Sequence, residues 1–344
     1  MGNRIAIHHR AGSFSDRWIK YCAEKGIEHR VVNCFDVSIM RQLASADALL
    51  WHFSQSTPED MAVARHILRA AEVMGLMVFP SSNTCWHFDS KVAQKYLLES
   101  VGAPLVPTHI FFRPRDAEEW ISRATFPKVF KLSCGAGSMN VRMVRDAAEA
   151  RRLAKRAFGR GFKPVAGYFH DAATRLQKTR RAAVSLRSVV ERMPGTLMRI
   201  YRANLLLGHE RGYVYFQDFV AGNEYDTRVT VIGNRAFAFT RNVRKGDFRA
   251  SGSGDVVYDR DRIRPECIQV AFEVARKTGS QSMAFDFVRG NDGRYLITEV
   301  SYGYIAEAVH ACAGHWDRSL NWHEGQVWPQ DAILEDLLAE LSEK

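Results

Sequence analysis

From Asn3 to Pro80, short apolar runs alternate with amphipathic stretches, at Ile5 to Ile7, Val31 to Phe35, Ala48 to Phe53 and Leu76 to Phe79. Apolar runs of this length, divided by segments of helical period, predict a small parallel α/β lobe over 1–83. Ser90 to Ser100 reads as a helix with Lys91 in its first turn, stopped by Gly102 and Pro104. A second lobe, 84–220, contains the strand Lys128 to Leu132, the small-residue loop Ser133 to Ser138 and the strand Tyr213 to Val220. A third, 221–330, carries strand patterns at Thr227 to Ile232, Ala236 to Thr240, Met283 to Val288 and Tyr295 to Val300, with a helix from Pro265 to Thr278. The remaining 331–344 reads as a C-terminal helix.

Composition narrows the class. The 344 residues are 46% hydrophobic without a low-complexity run, which suits two or three packed lobes sharing a site. No stretch approaches the ~20 apolar residues that cross a bilayer, and no signal-peptide core follows the N-terminus, so a cytoplasmic protein is expected. Six cysteines without a CxxC pair argue against a disulfide framework and against a zinc ribbon. The net charge of +10 draws anions of any kind. Much of it lies in an insertion at 159–203, where ten arginines and lysines face only Asp171 and Glu191. That insertion reads either as an electropositive flap over a polyanionic substrate or as a solvated helix surface. No nucleic-acid motif accompanies the charge, so specific nucleic-acid binding is not expected.

The chemistry-bearing residues are ordered along the chain. The loop after the first strand lacks a three-glycine dinucleotide pattern, but His8, Arg10, Trp51 and His52 sit at strand ends, where substrates of parallel sheets commonly bind, ordinary loop packing being the alternative. Lys131 ends a strand ahead of a loop with Gly135, Gly137 and Ser138, offering a point charge and backbone N–H groups to a triphosphate. The strand through Gln217, Asp218 and Phe219 offers hydrogen-bonding groups between lobes, a place for a flat purine. Asp286 and Glu299 lie on two strands joined by Asn291-Asp292-Gly293, a hairpin that brings the carboxylates together as hard ligands for Mg²⁺ or Mn²⁺. The alternative is that one carboxylate pairs with an arginine. Arg228, Arg241 and Arg249 suit charge that spreads during phosphoryl and acyl transfer, and each has a plain salt-bridge reading. Arg249 stands out because Ser251 and Ser253 lie in a Ser-Gly-Ser-Gly loop beside it. His310 to His315 matches no zinc pattern and reads as a loop facing an acceptor, with Trp316, Trp322 and His323 as a wall.

This order of lysine helix, lysine strand, small-residue loop, hinge strand and acidic hairpin resembles the ATP-grasp superfamily over residues 84 to 310. Gln217-Asp218-Phe219, Asp226-Thr227-Arg228-Val229, Arg241 and Asp247 to Gly254 look like its glutathione-synthetase and ribosomal-protein glutamate-ligase branch. The resemblance implies an α/β ATP-grasp architecture in which two α+β lobes clamp ATP behind the N-terminal lobe. It implies that Lys91, Lys131 and Gly135 to Ser138 hold phosphates, that Gln217 and Phe219 read adenine, and that Glu224 or Asp226 meets ribose or a lysine. Asp286 and Glu299 would bind metal, while Ser301 stands where relatives carry an asparagine. The implied activity is an ATP-dependent carboxylate–amine ligase working through an acyl phosphate, with small-molecule carboxylate and amine substrates, phosphorylated or sugar-linked ones among them. A sugar acid or amino acid in surface-polysaccharide synthesis is the expected setting, and a homo-oligomer the expected assembly. The alternatives are phosphoryl transfer to a hydroxyl and a non-catalytic, nucleotide-binding regulatory protein.

Overall fold

A computed structural model of the chain describes residues 4–135, 140–163, 206, 208–244 and 246–343. The expected phosphate-loop residues Gly137 and Ser138 and most of the basic insertion lie outside these described residues.

The first sheet is parallel, in the order β2-β1-β3-β4, from β1 (Ile5–His8), β2 (His29–Val32), β3 (Ala48–Leu50) and β4 (Met77–Phe79). The central strands β1 and β3 are short, apolar and fully buried, as helix-covered parallel sheets require, while the edge strand β2 buries Val32 and leaves Arg30 and Val31 exposed. The second sheet is antiparallel, β5-β8-β6-β7, from β5 (Thr108–Phe111), β6 (Lys128–Lys131), β7 (Val141–Val144) and β8 (Val214–Asp218). The third runs β13-β12-β9-β10-β14-β15, with β11 paired to β10. Its strands are β9 (Tyr225–Ile232), β10 (Arg235–Asn242), β11 (Val256–Val257), β12 (Ser282–Arg289), β13 (Tyr295–Ser301), β14 (Gly314–Trp316) and β15 (Trp322–Glu324).

Side-chain alternation gives the third sheet two different faces. Val229, Val231, Ala236, Ala238, Met283 and Phe285 pack against the helix Pro265–Thr278. On the other face Ile232, Phe237 and Phe239 join the core of the first sheet. The helix Pro329–Ser342 closes that shared core, with Trp18 Nε1 donating to Gln330 O (2.9 Å) and Arg17 forking onto Asp331. The second sheet keeps a core of its own, around Phe130, Leu132, Val144 and Phe216.

In the segment expected to be an acceptor-facing loop, His310 to His315, His310 ends the helix Ala306–His310 and Gly314 begins β14, which pairs with β15 as a two-stranded ribbon extending the sheet edge. Trp316 and Trp322 pack edge-on at 4.7 Å, and the His315 and His323 rings stack at 5.2 Å. Gly314 permits it, since a Cβ there would meet His323 O at 2.2 Å. All six cysteines are free thiols, and among the described residues no helix is long and apolar enough to cross a membrane.

Candidate active site

The acidic hairpin forms as the sequence suggests, and its register sets the chemistry. Asp286 lies opposite Glu299 on one side and opposite Arg228 on the other, so a carboxylate, a carboxylate and a guanidinium cross three strands in one row. Two residues along β9 on the same face, Asp226 pairs in register with Arg241 of β10. Arg228 forks onto Asp286 at 2.7 and 2.8 Å, Arg241 forks onto Asp226 at 2.8 and 2.5 Å, and Arg241 also reaches Asp286 at 2.9 Å. Burial would raise the Asp286 carboxyl, but the two guanidinium groups hold it below the usual carboxylate range. Asp226 goes the other way, because burial outweighs Arg241 there. The arginine pairing of a hairpin carboxylate, foreseen as the alternative to a metal, is therefore present at Asp286. Asp226, expected at ribose or a lysine, is buried against Arg241.

Between Asp286 and Phe287 the pairing shifts register, leaving Thr298 as the extra residue of a bulge. The bulge sends the Thr298 carbonyl to the second sheet, where Lys131 Nζ and Gln217 Nε2 both approach it at 3.4 Å. Lys91 lies beside them, buried, donating to Gly135 O (2.8 Å) and paired with Glu299 at 3.4 Å. Lys91, Lys131, Gln217, Asp286 and Glu299 are thus brought into one cluster from three separated segments. Burial lowers Lys131 from 10.5 to about 8, with Lys91 adding to the fall and Glu299 and Asp286 opposing it. Lys91 is raised instead: burial lowers it, but Glu299 and Asp89 overcome that.

Other expected residues lie apart from this cluster. Alternation along β8 turns Asp218 to the sheet face opposite Gln217, where it accepts from Lys128 (2.7 Å) and His109 (3.0 Å). Its carboxylate is thus engaged by Lys128 and His109 rather than by the cluster around Thr298. Glu224 is exposed between β8 and β9. The Phe219 ring meets Phe248 edge-on at 5.7 Å, and Arg249 is held by Asp247 at 2.6 to 3.0 Å. Ser251 contributes its carbonyl to Arg244, and Ser253 Oγ caps Asp255 N–H.

The backbone donors of Ser133, Cys134 and Gly135, leading into the expected phosphate loop, are engaged within the protein. Their N–H groups already donate to Glu210 and Asp89, at 2.7 to 2.8 Å, with Tyr213 OH bonded to Glu210. Gly135, at φ +109, is where the chain turns to make this possible. Asp89, Glu210, Tyr213 and Thr298 were invisible to motif reasoning. Asp89 and Glu210 are 121 residues apart, and a carbonyl made functional by a bulge carries no side-chain signature.

Whether a divalent cation fits can be asked of the donors. Asp286 Oδ1 takes one arginine hydrogen bond and keeps a lone pair, and Glu299 is 34% exposed with one oxygen toward Lys91. Ser301 Oγ is committed to its own turn, donating to Gly303 O (2.9 Å) and accepting from Gly303 N–H (3.1 Å). Among the described residues no group of three or more His, Cys, Asp or Glu could hold a metal alone. Two carboxylates completed by phosphate oxygens and water are the usual Mg²⁺ arrangement, and Asp286 with Glu299 fit it.

The comparisons with known proteins agree with this geometry. A RimK domain ATP-grasp protein from Sphaerobacter thermophilus is similar in structure, with 15% identity, coverage of 98% of this chain and 99% of that one, and a TM-score of 0.57. This is an ATP-grasp fold. D-cycloserine synthetase is similar at 15% identity, 97% and 100% coverage and a TM-score of 0.57. The biotin carboxylase domain of Hydrogenobacter thermophilus 2-oxoglutarate carboxylase, solved with MgADP and bicarbonate, gives 14%, 98% and 70%, and 0.59. Residues 189–307 match the RimK-like ATP-grasp domain, a span that holds the arginines and the acidic hairpin but neither Lys91 nor Lys131. No curated protein matches the sequence.

Proposed function

We propose that the protein is an ATP-dependent carboxylate–amine ligase, forming an amide through an acyl phosphate. The observation that carries this reading is the convergence of Lys91, Lys131 and Gln217 on the bulged strand that bears Glu299, with Asp286 opposite. Lys91 and Lys131 would take the phosphates and Gln217 the base, while Asp286 and Glu299 would hold Mg²⁺. When bound, that ion neutralises charge on the transferring phosphoryl group. Arg228 and Arg241, already charged and fixed by Asp286 and Asp226, supply preorganised positive charge to the same face without reorganisation. Arg249, on its own Asp247 tether, is the third such group, facing an acyl centre near the Ser251 to Ser253 loop. A sugar acid or amino acid destined for a surface polysaccharide is the proposed substrate setting.

The Ser301 hydroxyl, consumed by the Gly303 turn, favours a second reading in which nucleotide is bound without turnover. ADP release with pooled carboxylates and amines, run beside Asp286→Ala and Arg249→Ala, separates the two. ADP formed by the wild type and lost in both variants supports the ligase. Tight MgATP binding with no ADP above the variants in any pool sinks it and leaves the regulatory reading.

A further inference from the structure

The carboxyl ends of β1 and β3 hold a group of polar atoms that the fold buries without using. Arg10 follows β1 by two residues, and Trp51 and His52 follow β3 directly. Asp60 stands in the first turn of the helix Pro58–Val73, with one oxygen accepting from Ser54 N–H at 2.9 Å. Arg10 Nε, Trp51 Nε1, both ring nitrogens of His52 and the second oxygen of Asp60 are buried and make no hydrogen bond to any described residue. Each such group costs about 1–3 kcal/mol when left unpaired, so a fold does not gather them without a use. Nearby groups are satisfied: His8 Nδ1 accepts from Cys34 N–H at 3.0 Å, and Tyr302 OH donates to Phe53 O at 2.5 Å.

The rings are fixed. His52 stacks on Phe14 at 3.8 Å and meets Tyr302 at 5.9 Å, while Trp51 packs on His8 at 4.6 Å. Arg10 brings its buried Nε to the same strand ends, and its charge opposes protonation of His8 and His52 and favours the Asp60 carboxylate. Arg10 and Trp51 can only donate, the free oxygen of Asp60 accepts, and an uncharged His52 ring does one of each. Paired donors beside an acceptor match a carboxylate next to an ammonium.

We propose that Arg10, Trp51, His52 and Asp60 form a recognition subsite for an amino-acid head group, its carboxylate on Arg10 and Trp51 and its ammonium on Asp60. Tyr302, against His52, lies three residues beyond Glu299 on the same chain, on the order of 10 Å at strand rise. The head group held here is therefore not the reacting one. The substrate is a molecule that carries an amino-acid end and presents its reacting carboxylate or amine at that distance. This second statement rests on the ligase reading, whereas the binding does not.

The test is titration calorimetry of the full chain, in saturating MgADP, with individual free L- and D-amino acids at millimolar concentration and with matched dicarboxylates that lack an ammonium. Trp51→Phe removes one N–H and keeps the ring, and Arg10→Gln removes the charge. MgADP affinity, read separately, reports that each variant is folded. At least one amino acid is expected to bind, with Kd weakened tenfold or more in both variants. No amino acid binding while MgADP binds, binding that both variants leave unchanged, or binding by the dicarboxylates alone overturns the proposal. Amino acid binding that meets the expectation, with no ADP formed in any pool, leaves the subsite standing and removes the ligase reading.

Discussion

Lys131 offers the sharpest test of the nucleotide site. Lys131 is 7% exposed, with the Thr298 carbonyl at 3.4 Å as an acceptor, and burial lowers its ammonium from 10.5 to about 8. At about 1.36 kcal/mol per pH unit, that is about 3 kcal/mol in favour of the neutral amine. At pH 9 roughly one molecule in ten keeps the charge. If Lys131 binds phosphate, the MgADP Kd of the wild type rises about tenfold between pH 7 and pH 9. Lys131→Arg, charged throughout, stays flat over that range. Calorimetry at constant ionic strength reads both curves. The sign for stability follows from the same shift: between pH 8 and 10.5 the unfolded chain binds more protons at this site, so its contribution rises with pH. Lys131→Met removes that rise. A wild-type Kd unchanged to pH 10, or an arginine variant that tracks the wild type, would refute the assignment.

Other consequences follow from the buried pairs. Arg241→Ala leaves Asp226 and Asp286 in one dry site with Arg228 alone and is expected to cost about 3–5 kcal/mol in urea denaturation. Adding Asp226→Asn should recover part of that loss, and full additivity of the two changes would contradict the pairing. Because Asp286 lies below the ordinary carboxylate value, its stabilising contribution is present above that value and disappears as pH falls through the lower folded one. Tyr302→Phe leaves the Phe53 carbonyl without its 2.5 Å donor and should cost about 1–3 kcal/mol in thermal or urea unfolding. An unchanged midpoint would remove that bond from the account.

The helix Pro265–Thr278 and the acidic hairpin were legible because apolar period and an Asn-Asp-Gly turn are local signals. The strands β9 and β10 read short at their charged ends: Asp226 and Arg241 look like interruptions one at a time and become a neutral pair only across the sheet. Asp218 separates from Gln217 because alternation acts on every second residue, while the motif treats Gln217-Asp218-Phe219 as one block. The ribbon at Gly314 and Trp322 was missed because its strands are three residues each, and only pairing with β10 makes them strands.

The division of the apolar cores has a mechanical meaning. The first sheet, the C-terminal helix and one face of the third sheet share a single core, and the acidic hairpin packs into the core on that sheet's other face, so these parts form one anvil. The second sheet is a jaw with its own core, meeting the anvil through latches at Lys131 and Gln217. Undoing a latch of that kind costs about 0.5–1.5 kcal/mol net and leaves every core intact. Under the ligase reading, nucleotide would be admitted and released by trading a few polar contacts, while the proposed subsite and the hairpin keep one separation like a caliper set to a single length.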